Sequence, residues 1–219
     1  MLNSNFIASQ NIRGSGRATV VLVQKNSDFC VLADKISESL SNLGQTYFLV
    51  LEDFGQDWKP ALNLLQDFLD SSAIRNASFI AFENSSVLIQ ALVLKKPKLV
   101  RSLVFIDPRT REKSTAFSEL IAKLENYLPL GLPFRSDFDG FDGKPFLQRI
   151  RCPMLLLLRT SSDPYLNEQI KVMNSSAPTS FFADISSFAA DEVESKLDQT
   201  IRNFFDVPAK FPQKNLKYA

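Results

Sequence analysis

The stretch Ser78-Phe79-Ile80-Ala81-Phe82-Glu83-Asn84-Ser85 runs on through Val87-Leu88-Ile89-Gln90-Ala91-Leu92 to Lys95, and it changes character at one joint. Ser78 to Phe82 is an apolar run of strand length, and Ser85 to Lys95 reads as a helix. Leu103 to Ile106 follows as another strand, ended by Asp107-Pro108. Strand, helix and strand in succession are the unit of a parallel sheet, because parallel neighbours need a crossover between them.

Working outward, the same unit recurs on both sides. Upstream, Phe6 to Ile12 reads as a strand that turns through Arg13-Gly14-Ser15-Gly16 into a second strand, Thr19 to Gln24. Phe29, Leu32, Ile36, Leu40 and Leu43 then recur at helical spacing before Gly44. Tyr47 to Leu51 is the next strand, and Leu62, Leu64, Leu65, Phe68 and Leu69 mark the helix after it. Downstream, residues 109–150 interrupt the rhythm with a charged helix around Phe117 to Tyr127 and a loop through Gly140 and Gly143. Met154 to Leu158, Leu166 to Asn174, Ser180 to Ile185 and Glu192 to Phe205 resume strand, helix, strand, helix. The last helix puts Val193, Leu197, Ile201 and Phe204 on one face. The organisation expected is one domain over 1–206, with 109–150 as a lid or insertion and 207–219 as a C-terminal tail.

Composition narrows the function classes. The 219 residues hold 25 basic and 24 acidic side chains and are 45% apolar, ordinary values for one globular core. A net charge of +1 supplies no general field for phosphate backbones, so nucleic acid is not an expected partner. No apolar run approaches the roughly 20 residues of a membrane span. The two cysteines, Cys30 and Cys152, lie far apart and suit a reducing compartment, read here as the cytoplasm. Arg13 and Arg17 in an acid-free opening give the charge bias of a mitochondrial presequence, so the matrix stays as a second compartment.

The order of elements resembles the α/β-hydrolase superfamily. Arg13-Gly14-Ser15-Gly16 leading into Val20-Val21-Leu22-Val23 is similar to its opening. Lys96-Pro97-Lys98-Leu99-Val100-Arg101-Ser102-Leu103-Val104-Phe105-Ile106-Asp107-Pro108 resembles its helix end and following strand, and Cys152-Pro153 before Met154 to Leu158, with Asp163-Pro164 after it, resembles its acid loop. The resemblance implies an α/β fold with a mostly parallel eight-stranded sheet, helices on both faces and a short lid insertion.

The resemblance also implies a site, and the residues there depart from the pattern. The family's nucleophile stands on a strand-to-helix turn written G-x-S-x-G. Here the turn reads Ala81-Phe82-Glu83-Asn84-Ser85, which puts Glu83 in the serine position. The acid position is Asp163 and the histidine position is Ser187, just before Phe188. The oxyanion-loop pair is Gln24-Lys25, whose backbone donors, with that of Asn84, are expected to face a pocket. The chain has no histidine, so no imidazole is present to activate a hydroxyl.

Each residue also has a plainer reading. Glu83 and the serines Ser85 and Ser86 suit the start of a helix, Asp163 suits a turn before proline, and Lys25 suits solvent. Without histidine, and with two cysteines out of metal spacing, no metal and no cofactor are expected. The leading expectation is a catalytically inactive hydrolase-like protein that acts as a binding or assembly module through Gln24, Lys25, Glu83 and Asn84. Its partner is an unknown protein or a small apolar or carbonyl ligand, and its oligomeric state is open. The alternative is an enzyme of non-standard acid/base chemistry that uses Glu83 with Asp163.

Overall fold

The computed structural model describes residues 7–53, 58–110, 141–159, 163–188 and 190–206. Seven strands form one sheet: β1 (Ile7–Arg13), β2 (Ala18–Gln24), β3 (Gln45–Leu51), β4 (Ala77–Phe82), β5 (Val100–Ile106), β6 (Met154–Leu158) and β7 (Ser180–Asp184), in spatial order β1-β3-β2-β4-β5-β6-β7. All pairings are parallel except β1 with β3, where Ile12 lies opposite Tyr47. The helices are α1 (Cys30–Leu40), α2 (Trp58–Ser71), α3 (Ser85–Lys95), α4 (Pro164–Ser176) and α5 (Ala190–Asp206).

The expected class holds, and the expected strand count is corrected from eight to seven among the described residues. The residue patterns themselves mark seven β-forming runs, and the eighth came only from the resemblance. The proposed helix around Phe117 to Tyr127, the body of the insertion and the 207–219 tail lie outside the described residues. Helix α1 stops at Leu40 rather than reaching Leu43, which sits in the turn before Gly44 and is 45% exposed.

Alternation along the strands builds a core on each face of the sheet. Val20 and Leu22 of β2 join Leu49, Leu65, Phe79, Leu88, Leu92 and Phe105 on the face covered by α2 and α3. Val21 and Val23 join Ile36, Ile80, Val104, Leu197, Ile201 and Phe204 on the face covered by α1 and α5. The face expected for the last helix is therefore the buried one. β4 is buried along its whole length, and so is α3 from Ser85 to Val93, so the half-buried joint Glu83-Asn84 is set between two enclosed elements. No helix among the described residues is long and apolar enough to cross a membrane.

Candidate functional site

β4 ends at Phe82 and α3 begins at Ser85, so Glu83 stands in the turn between them. Its φ of +47° is left-handed, a conformation that costs an L-residue about 1–2 kcal/mol. Two things hold it there. The Glu83 N–H donates to the Ile106 carbonyl at the end of β5 (3.0 Å), and the Glu83 carbonyl accepts from the Ser86 N–H (3.1 Å) and the Ser86 hydroxyl (2.6 Å). The small residues Ala81 and Ser85, both fully buried, leave the turn room to close. Glu83→Gly is expected to be about 1 kcal/mol more stable than Glu83→Ala, since both lose the carboxylate and only alanine keeps the left-handed penalty. Urea unfolding of the two variants checks this, and the reverse order would mean that the turn relaxes.

The Glu83 carboxylate does not point at an empty space. Its Oε2 accepts a hydrogen bond from the Ser27 hydroxyl at 2.7 Å, and the Ser27 oxygen in turn accepts from the Phe29 N–H at 3.1 Å. Ser27 belongs to the loop that follows Gln24, the last residue of β2, and carries Lys25, so this loop and the β4–α3 turn are tied directly. The Lys25 N–H is engaged by the Leu51 carbonyl (2.8 Å), its ammonium pairs with Glu52 (2.9 Å), and Gln24 reaches Asp53 (3.4 Å). Asn84 Oδ1 accepts from Arg109 Nη1 (3.0 Å), while the Asn84 N–H has no hydrogen-bond partner among the described residues.

A second layer lies beside the turn. The Ser86 hydroxyl accepts from the Arg109 N–H (3.0 Å), and the Gln90 amide donates to the Arg109 carbonyl (2.6 Å). Asp107, 2% exposed and also left-handed at φ +47°, accepts from the Arg159 N–H at 2.8 Å. The Arg159 guanidinium sits 4.1 Å above the Phe29 ring, and Phe29 packs on Phe82 with centroids 5.4 Å apart. Ser27, Arg109 and Arg159 did not stand out in the sequence, and Phe29, read there as part of a helical face, precedes α1. The first three lie in loops whose contacts come only from the strand order, and no spacing announces them.

The other two positions singled out in the sequence have their own surroundings. Asp163 caps α4, its carboxylate accepting from the Tyr165 N–H at 2.9 Å, which is the helix-start reading of an acid before proline. Ser187 is exposed in the turn after β7. Among the described residues no hydrogen bond links Glu83 to Asp163 or to Ser187.

The thiols are placed where they stay protonated. Cys30, at the start of α1, donates to the Gln24 carbonyl (3.1 Å), and burial together with the Glu83 charge raises its pKa against a lowering backbone hydrogen bond. Burial pushes Cys152 up to about 11. At pH 8.5 Cys152 is therefore expected to react with iodoacetamide at least tenfold more slowly than a free thiol of pKa about 8.5. Mass spectrometry of the alkylated peptides checks this, and a rate equal to that of the free thiol would contradict it. Among the described residues no group of three His, Cys, Asp or Glu side chains is placed to hold a metal ion.

No protein-family model matches this chain, and no curated protein matches it by sequence. Solved structures match it by shape. A thermophilic esterase from Thermogutta terrifontis superposes with a TM-score of 0.67 at 14% identity, covering 90% of this chain and 92% of that one. The enol-lactonase from Burkholderia xenovorans LB400 gives 0.67 at 13%, covering 90% and 96%. MenH from S. aureus gives 0.65 at 14%, covering 90% and 97%. Identities this low speak to architecture and not to activity. With the sheet order, the left-handed β4–α3 turn and these superpositions together, the chain has the α/β-hydrolase fold.

Proposed function

We propose that this chain is a non-catalytic module on the α/β-hydrolase fold, serving to bind or assemble. The observation that carries the proposal is chemical. Glu83 occupies the turn where a nucleophile would stand, and the chain of 219 residues has no histidine to act as its base. A carboxylate fixed by Ser27 is poorly placed to attack an ester. Asn84, Ser86 and Arg109 likewise hold one another, which favours a protein partner over a small ligand. The acid/base alternative has less support, since Asp163 is occupied as a helix cap and shares no hydrogen bond with Glu83.

A fluorophosphonate probe labels activated serines, so it is expected to leave the folded protein unmodified, with no turnover of ester, thioester or amide substrates. Stoichiometric labelling of Ser85 or Ser86 would overturn the proposal. The double variant Glu83→Ser with Ser187→His is expected to gain little or no esterase activity. Ala81 and Ser85 still flank the turn, Gln24-Lys25 still stands in the oxyanion loop, and catalytic groups must be held within about 0.5 Å. Saturable turnover would show a pocket that remains organised, and would favour a ligand-binding role.

A further inference from the structure

The loops entering β2 through β7 carry a charge pattern that the turn at Glu83 does not share. Counted from the preceding helix or strand, or for β6 from the 3-10 turn Lys144–Arg149, they contribute Arg17 before β2, Arg75 before β4, Lys96 and Lys98 before β5 and Arg151 before β6, and none of these short segments holds an Asp or Glu. The loops leaving the strands instead mix both signs, with Asp28, Glu52, Asp53, Glu83 and Asp107 beside Lys25, Arg109 and Arg159. A net charge of +1 therefore conceals a cationic edge at the strand N-termini.

Arg75 and Lys96 share Asp70, at 3.5 and 2.8 Å. Arg17, Lys98 and Arg151 are exposed and have no ion-pair partner among the described residues. Among them lies Arg101 of β5, half-buried. Its Nε and Nη2 donate to Ser78 Oγ (3.2 and 3.0 Å) and its Nη2 to the Ala18 carbonyl (3.2 Å), so every acceptor it has is neutral. That bond places it next to the residue following Arg17, and burial together with the Arg17 charge lowers its pKa. An arginine remains charged even so. The Arg101 guanidinium is thus held by neutral oxygens beside the strand entrance that carries Arg17, and no ion pair among the described residues supplies either with a counter-charge.

We propose that this edge is a docking surface for an acidic polypeptide segment of a protein partner, its carboxylates facing Arg17, Lys98, Arg101 and Arg151. The inference rests on the reading of the chain as a binding module and names the chemistry of its partner. The cations enter β2, β5 and β6, which with β4 are four adjacent strands and so span about 14 Å. That is the reach of about four extended residues, enough for carboxylates on alternate positions. Nucleic acid fits less well. Binding of single strands uses aromatic platforms beside the cations, and among the described residues the exposed aromatic side chains are Phe188, in the loop leaving β7, and Phe146, in the 3-10 turn Lys144–Arg149. Phe188 lies at the opposite end of the sheet, and Phe146, on the way into β6, has the Arg149 guanidinium 5.9 Å over its ring, so among the described residues a single ring stands near these cations where a strand of bases would need several.

The test is fluorescence anisotropy of a labelled twelve-residue glutamate-rich peptide, titrated with the full chain at 20 and 150 mM salt. Saturable binding is expected, weakened at least tenfold by Arg17→Glu with Arg151→Glu, both exposed, and weakened at the higher salt. Arg101→Gln should weaken it as well, with circular dichroism to verify folding. Absence of binding, or equal binding by the Arg17/Arg151 variant, would overturn the assignment of this edge. Tighter binding of a single-stranded oligonucleotide of equal charge would overturn the partner class. Ester turnover by the wild type would remove the non-catalytic reading while leaving the peptide measurement to stand or fall alone.

Discussion

Phe82→Ala is expected to lower the free energy of unfolding by about 3–5 kcal/mol, the range for truncating a fully buried phenylalanine. Phe82 is 1% exposed, closes β4 and directly precedes the strained Glu83. Its ring packs on Phe29, which also carries the Arg159 guanidinium and sits two residues from the Ser27 hydroxyl that holds Glu83. The cavity would therefore open beside the loop whose Ser27 hydroxyl holds the Glu83 carboxylate. Because that tie crosses between separate loops, neighbouring side chains have little freedom to collapse into the space. Phe146→Ala is the control, since its ring is 38% exposed and an exposed substitution is expected to stay within about 0.5 kcal/mol. Urea unfolding of both variants measures the difference. A loss for Phe82→Ala below about 1.5 kcal/mol would mean that the joint repacks easily and is less enclosed than its burial indicates.

The fold was legible because its signals are local and repeat. Each of the seven strands has an apolar run of strand length or a β-forming run beside a glycine turn, and each helix has either helical spacing or a proline or glycine boundary. Placing Glu83 in the turn was equally readable, since the switch from Ser78–Phe82 to Ser85–Lys95 leaves no other position for the joint. What the turn is made of was not readable. Ser27 and Glu83 are 56 residues apart, and Asp107 and Arg159 are 52 apart, so their bonds depend on β2, β4, β5 and β6 lying side by side. Sequence supplies no register for such pairs. The helix-start reading of Asp163 needs only near neighbours in the chain and matches its capping bond, whereas Lys25, read as solvated, pairs with Glu52 across the β2–β3 pair, and no side chain caps α3 at Glu83, Ser85 or Ser86.

Gly14→Ala is expected to cost about 3–5 kcal/mol, while Gly16→Ala two residues later costs about 1–2 kcal/mol. Both glycines have positive φ, +71° and +106°, so each alanine bears a conformational penalty. Only Gly14 adds a collision. A Cβ there would stand well inside contact distance of the Ser41 and Gly44 carbonyl oxygens, whereas at Gly16 the nearest atom is the Gly44 Cα at 4.0 Å. The crowding comes from the way the turn between β1 and β2 is packed against the turn after α1. Gln45 at the start of β3 donates its N–H to the Arg17 carbonyl at 3.0 Å, and a Cβ on Gly44 would itself strike that carbonyl. The two turns interlock backbone to backbone, so no side chain is available to swing aside and absorb an added methyl group. Moving either turn would shift β1 or β2 against β3, to which both are paired along their length. Thermal unfolding distinguishes the cases, since at this chain length each kcal/mol shifts the midpoint by about 2–4 °C. Equal losses for the two variants would show that positive φ alone sets the cost and that the turns can separate.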